Sequence, residues 1–247
     1  MNDLVRIAAE VVVFDLDDTL YLERDFARSG FIAASRQFGG QFNPERFSAC
    51  CLQLLDAGQR GDVFDRALEI MGVTPPVGLI ENLVEAYRSH RPQITLCLDA
   101  ERFLARTVVK ATGLISDGPA PTQTAKVVAL GLADRIGHIV LTGAFPAGYG
   151  KPHPRAFEHI EEATGFSGSA LVYIADNAAK DFIAPNRRGW QTVQILRPGR
   201  IHRGAPISPD RAAGHVVTSL DQIIVGTKAH SNDAARGVMV HAGRKER

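Results

Sequence analysis

Five short apolar runs rich in β-branched residues punctuate the chain, at residues 11–14, 112–115, 138–141, 170–174 and 192–196, with a weaker sixth at 215–218. Runs that stay apolar at successive positions suit strands buried on both faces, as in a parallel sheet covered by helices. Amphipathic stretches separate them. Residues 122–130 carry Ala125, Val128 and Ala129 at helical spacing and stop at Gly131; residues 153–164 open on Pro154 and close before Gly165, the usual placing of Pro and Gly about a helix. Alternation of this kind predicts an α/β fold with a doubly wound parallel sheet.

The interval between the first two runs breaks the alternation. Residues 22–107 hold no persuasive strand but four amphipathic stretches, at 22–38, 44–57, 62–71 and 77–90. A crossover between parallel strands needs only about a dozen residues. The excess predicts an inserted helical domain, hinged near 21–23 and in the extended segment 91–98, RPQITLCL. Because ligands of such sheets sit at the carboxyl ends of the strands, the insert emerges beside the end of the first strand and can lie over it as a cap. The expected division is a core of residues 1–21 and 98–225, a cap of 22–97, and a disordered tail of 226–247 with weak apolar pattern.

Composition narrows the function classes. The chain has 247 residues, 45% hydrophobic, with 28 Lys plus Arg against 27 Asp plus Glu. That balance gives no global field to recruit nucleic acid or an anionic membrane. No window approaches the roughly 18 apolar residues of a membrane span. Three cysteines, two of them adjacent (Cys50, Cys51), make no disulfide framework, so reduced thiols and a cytoplasmic setting are expected.

The candidate chemistry lies where the runs end. The first ends in Asp15-Leu16-Asp17-Asp18-Thr19, the second in Ser116-Asp117-Gly118, the fourth in Asp176-Asn177 with Lys180 and Asp181 beyond, and the third leads to Gly150-Lys151-Pro152. Like charges so close call for a cation. Carboxylate oxygens are hard ligands that suit Mg²⁺, which prefers a substrate phosphate as a further partner; Ser116, neighbouring amides and Lys151 suit phosphate oxygens. Asp-x-Asp spacing on an extended strand end returns both side chains to one side, where one can attack and the other move a proton.

In order along the chain, FDLDDTL, LISDG, GKPHPRAF and ADNAAKD resemble the four motifs of the haloacid dehalogenase superfamily, and the position of the insert is similar to that of members with a type 1 helical cap. The resemblance covers about residues 10–225. It implies Asp15 as a nucleophile that becomes an aspartyl phosphate, and Asp17 as general acid and base. It implies Mg²⁺ held by Asp15, Asp176 and the backbone carbonyl of Asp17, and phosphate bound by Ser116, the Asp117 amide and Lys151. Asp181 would orient the lysine or a metal-bound water from the second shell. Asp18 is expected to be solvated or backbone-bonded, Thr19 to brace the turn, His153 to start a helix and Lys180 to be a surface charge.

These readings converge on a Mg²⁺-dependent phosphatase for a small phosphorylated metabolite of the sugar phosphate or nucleotide class, with monomer and homodimer both open. A phosphomutase is the alternative, and a non-catalytic phosphate-binding module a weaker one. Asp17 argues against a dehalogenase. Residues 22–107 contain no lysine, which argues against a phosphonatase with a cap lysine.

Overall fold

The computed structural model describes residues 4–227. Six parallel strands form the main sheet: β2 (Val11–Phe14), β3 (Ala111–Ser116), β4 (His138–Leu141), β5 (Leu171–Ala175), β6 (Gln191–Ile195) and β7 (His215–Val217), in the order β4-β3-β2-β5-β6-β7. All four residues of β2 are buried, as expected for the strand with partners on both sides. Their side chains alternate across the sheet. Val12 and Phe14 join one apolar cluster with Leu114, Ile174 and Phe103, whereas Val11 and Val13 join another with Ile115, Tyr173 and Phe157. The strand order reverses direction on the two sides of β2, which opens the crevice at its carboxyl end.

Four helices fill the long interval: α1 (Glu23–Gln37), α2 (Pro44–Asp56), α3 (Val63–Ile70) and α4 (Leu79–Ser89). They pack around their own apolar cluster, with Phe31, Phe47, Phe64, Leu68 and Leu83 at its centre. Asn43 caps α2 by accepting the Arg46 amide at 2.8 Å, with Pro44 in the first turn, where its missing N–H costs nothing. A further helix, α5 (Leu98–Arg106), belongs with the sheet: Phe103 meets Phe14 edge-on at 5.8 Å. Then follow α6 (Ala120–Ala129), α7 (Arg155–Thr164) and α8 (Ile183–Arg187). Gly165 closes α7 at φ 73°, a conformation that disfavours residues with a Cβ.

Two strands escaped the sequence pattern. β1 (Val5–Ala8) and β8 (Ile223–Gly226) pair in parallel as a separate two-stranded sheet. Each is four residues long and partly exposed. Arg6 interrupts the apolar pattern of β1, and β8 offers a run of only three apolar residues, Ile223 to Val225, before Gly226. Gly226, read as the start of a tail, is instead the last residue of β8 and faces Ala8; the rest of that expected tail, from 228 on, lies outside the described residues. No helix among the described residues is long and apolar enough to cross a membrane.

Candidate active site

Asp15 follows the last residue of β2 and its amide donates to the Ile174 carbonyl at 2.9 Å, so the carboxylate is carried by the centre of the sheet. It is buried, and Lys151 Nζ lies 2.5 Å from Oδ1. The same ammonium donates to the Tyr173 hydroxyl at 3.1 Å and forms an ion pair with Asp181 Oδ1 at 2.8 Å that lacks hydrogen-bond geometry. Asp181 Oδ2 accepts the Asn177 amide at 2.9 Å. Lys151 is thus fully enclosed between two carboxylates. Burial alone would lower its pKa, but Asp15 and Asp181 hold it well above the ordinary lysine value.

Asp176, at the end of β5, is buried, and its Oδ2 has no hydrogen-bond partner. Burial, with the Asp15 and Asp181 charges added, pushes its pKa up to about 9. Burial likewise lifts Asp15 to about 6, although Lys151 opposes the shift. Oxygens of Asp15, Asp176 and Asp181 all lie within 4.8 Å of one another. Three hard anionic donors, one of them orphaned and desolvated, fit a divalent cation such as Mg²⁺. The sequence reading gave the cation the backbone carbonyl of Asp17 and set Asp181 behind the ligands. Here Asp181 brings a third carboxylate to the cluster, and the Asp17 side chain turns to other partners, which a contact through its carbonyl allows.

Asp17 Oδ1 accepts from Lys126 Nζ at 2.6 Å and from the Tyr21 hydroxyl, while Oδ2 faces Gln123 Nε2 at 3.5 Å. Gln123 Oε1 also accepts from the buried Ser116 hydroxyl at 3.1 Å. Lys126 and Gln123 were not anticipated. The signal was available: they sit three apart on the buried face of α6, where apolar residues belong, and positions three apart share a face. Lys126 also lies 4.3 Å from the centre of the Phe26 ring of α1, so the insert covers the ammonium that grips Asp17.

Asp117 organises the neighbouring loops. Its Oδ1 accepts from Thr142 Oγ1 at 2.7 Å and from the Lys151 amide at 3.1 Å, and its Oδ2 from Lys180 Nζ at 3.0 Å. Burial would raise its pKa, yet Lys151 and Lys180 bring it below the usual carboxylate value. Lys180 is therefore not the surface charge expected of it: it is paired and lines the site. The loops meet closely, since a Cβ on Gly143 would stand 2.1 Å from the Gly118 carbonyl oxygen. Asp18 is fully buried at φ 53°, and it accepts the Glu23 and Ile201 amides at 2.9 and 2.5 Å. Of the two readings for Asp18, backbone bonding holds and solvation does not. His153 accepts the Arg155 amide at 3.2 Å, as a residue at a helix start does.

Asp15, Asp17, Asp117 and Asp176 open onto a cavity of about 270 Å³, walled on the insert side by Glu23, Phe26, Tyr87 and Arg88. Ser116, Lys151 and Asp181, on the sheet side, are buried and do not line it.

Comparison with known proteins bears on the family and the fold. Residues 9–187 match the haloacid dehalogenase-like hydrolase family. The chain belongs to that family. Among relatives of this haloacid dehalogenase-like hydrolase, a phosphoserine phosphatase of Thermus thermophilus is 31% identical over 157 residues, 63% of this chain. That match spans 61% of the relative, less than two thirds of its length. A glyceraldehyde 3-phosphate phosphatase of Methanocaldococcus jannaschii is 24% identical over 86% of this chain and 94% of its own. In structure, a HAD family hydrolase from Deinococcus radiodurans with bound phosphate and sodium aligns with a TM-score of 0.60 at 21% identity, over 95% of this chain and 99% of that one. It supports the fold.

Proposed function

We propose that this hydrolase is a Mg²⁺-dependent phosphatase that cleaves a small organic phosphate monoester through an aspartyl phosphate on Asp15. The observation that carries the reading is the buried cluster of Asp15, Asp176 and Asp181, with an orphaned oxygen on Asp176 and Lys151 clamped behind it. Asp15 and Asp176, with Asp181 beside them, would hold the cation. When bound it supplies the positive charge that lets a carboxylate approach an anionic phosphoryl group.

The chain's own residues do the rest. Asp15 forms a bond to phosphorus as the ester oxygen leaves. Asp17 gives that oxygen a proton, because an alkoxide leaves poorly without one. A water then yields its proton to Asp17 and attacks phosphorus, which frees phosphate and restores both carboxyls. Lys126 and Tyr21 hold Asp17 Oδ1, and Oδ2, with only a long contact to Gln123, is the proposed proton-carrying oxygen. Lys151 keeps Asp15 oriented, and Ser116 and the Asp117 amide are the proposed phosphate contacts. Catalysis of this kind is mainly positioning and electrostatic stabilisation. The relatives named for phosphoserine and glyceraldehyde 3-phosphate support a small substrate, of the sugar phosphate or nucleotide class in this proposal. The cytoplasm is the proposed compartment, supported by the free thiols of Cys50, Cys51 and Cys97.

The test is a pair of half-reactions in Asp17→Asn. On an alkyl phosphate the first step should slow by roughly 10²–10⁴, the worth of general acid catalysis. The p-nitrophenolate of p-nitrophenyl phosphate leaves without protonation, so Mg²⁺-loaded variant should release about one equivalent of p-nitrophenol per site and then stall. Steady turnover of both substrates at wild-type rates, or wild-type activity that survives excess chelator, would overturn the mechanism.

A further inference from the structure

The catalytic cavity has neighbours along the seam between sheet and insert, divided from it by side chains. Glu23, Tyr87, Arg88 and His202 form its outer wall and are also the wall of a second chamber, of about 250 Å³, inside the insert. Ala27, Phe31, Val63, Phe64 and Val84 make that chamber largely apolar. Neither space alone reaches the ~300 Å³ at which small-molecule sites begin, whereas the two joined do. Leu55, Arg60 and Ile201 in turn separate the apolar chamber from a third space, of about 230 Å³, where α1 and α2 face the loop after β6.

That outer space is strongly basic. Arg24, Arg60, Arg200 and Arg203 line it, against the single carboxylate of Asp56. Asp56 is consumed by a two-pronged pair with Arg24, at 2.6 and 2.7 Å. Among the described residues, Arg60, Arg200 and Arg203 form no ion pair. Arg60 is nevertheless held in place, because its Nη1 donates to the Leu55 and Gln59 carbonyls at 2.8 and 2.6 Å. Arg200 is tethered in the same way to the His202 and Arg197 carbonyls. Carbonyl tethers fix a guanidinium without spending its charge, and its remaining donors stay available to an anion.

We infer that the substrate is an elongated phosphate monoester with a second anionic group at its far end: phosphoryl group at Asp15, uncharged body in the apolar chamber, and far anion on Arg60 and Arg203. This rests on the phosphatase reading and narrows it, since a neutral sugar phosphate would leave the arginines unused. Binding energy gained at the far end supports reaction at the phosphoryl end, and the effect weakens with salt because the arginines are exposed.

The test is a series of n-alkyl phosphates, two to eight carbons long, ending in methyl, carboxylate or phosphonate, assayed with Mg²⁺ beside p-nitrophenyl phosphate. In the wild type an anionic end should raise kcat/KM about ten-fold or more over the methyl end at one best chain length. The carboxylate and phosphonate arms show which anion is preferred. Arg203→Gln should lower that ratio several-fold. Arg60→Glu with Arg203→Glu should invert it in favour of an ω-aminoalkyl phosphate, a gain that damage to the fold cannot produce. Equal kcat/KM for anionic and methyl ends at every length, or a ratio untouched by both variants, would overturn the inference while p-nitrophenyl phosphate turnover upholds the phosphatase. Failure to hydrolyse any phosphate, p-nitrophenyl phosphate included, would overturn the phosphatase reading and this inference with it.

Discussion

At the ends of β2, β3 and β5, six carboxylates crowd together, buried or half-buried, and three of them have a lysine each: Asp15 with Lys151, Asp17 with Lys126, Asp117 with Lys180. At the seam between the insert and the loop after β6, like charges are exposed or half-exposed, and among the described residues three of the four arginines form no ion pair, Asp56 being taken by Arg24. The difference follows from solvent. An unpaired charge in the interior costs several kcal/mol, so the sheet edge must pair its carboxylates or give them a cation. At the surface, water and salt screen the repulsion, and an uncompensated cluster can be kept for a ligand. Asp181 shares Lys151, and Asp18 is held by the Glu23 and Ile201 amides. Asp176, buried with an orphaned oxygen, has neither a lysine nor such amides for it, and that is where a cation fits.

Removing a charge from the buried region should therefore have the larger effect. Asp15→Asn should reduce turnover by about 10⁴ or more, because an amide forms no acyl phosphate. Its unfolding midpoint should stay close to wild type, since Asp181 still accompanies Lys151. Turnover within ten-fold of wild type would remove Asp15 from the chemistry.

Next in size is a buried pair outside the site. Asp99 accepts from Arg197, Ser219 and the Leu220 amide, and Arg197 donates to the Thr19 carbonyl in the loop that carries the aspartates. Asp99→Ala should cost ~3–5 kcal/mol in urea unfolding at pH 7, by stranding a buried guanidinium. Burial would raise the Asp99 pKa, but its bonds to Arg197 hold it below the usual carboxylate range. A depressed pKa gives stability that is present above the unfolded value and lost as pH falls through the folded one. The gap between Asp99→Ala and wild type should therefore narrow below about pH 4; a constant gap down to acid unfolding would refute the ionic origin.

Lys126→Met should act through Asp17 alone. Alkyl phosphate hydrolysis should slow by roughly 10–10², part of the general-acid contribution, and p-nitrophenyl phosphate hydrolysis by much less in its first step. Equal slowing of both would make Lys126 a structural cation only. Smallest is the proton linkage of the metal cluster. With Asp176 pushed up to about 9 and Asp15 to about 6, Mg²⁺ must displace a proton near neutrality, so its affinity should rise up to about ten-fold from pH 7 to 8. Calorimetry in buffers of different ionisation heat would expose the assignment if no proton is released.

The sequence by itself determined the sheet, the long helical interruption and the strand ends from which Asp15, Asp17, Ser116 and Asp176 emerge. Burial on two faces and helical periodicity are local signals, and a motif read at a strand end lands at the sheet edge whatever the packing. Partnership was decided elsewhere. Lys126 reaches Asp17 across 109 positions, and no spacing rule ties α6 to β2 until both lie on the sheet. β1 and β8 pair with each other, outside the main sheet, and short runs of Val-Arg-Ile-Ala and Ile-Ile-Val-Gly carry no mark of that pairing across some 218 positions. Arg60 has no signal of its own in the sequence, because its worth depends on a loop some 140 positions on that supplies Arg200 and Arg203. Which residues are chemical was written in the order of the chain; which charges meet, and which stay free, was settled only when sheet and insert closed on one another, because electrostatic energy depends on distance and dielectric, and both are properties of the folded molecule.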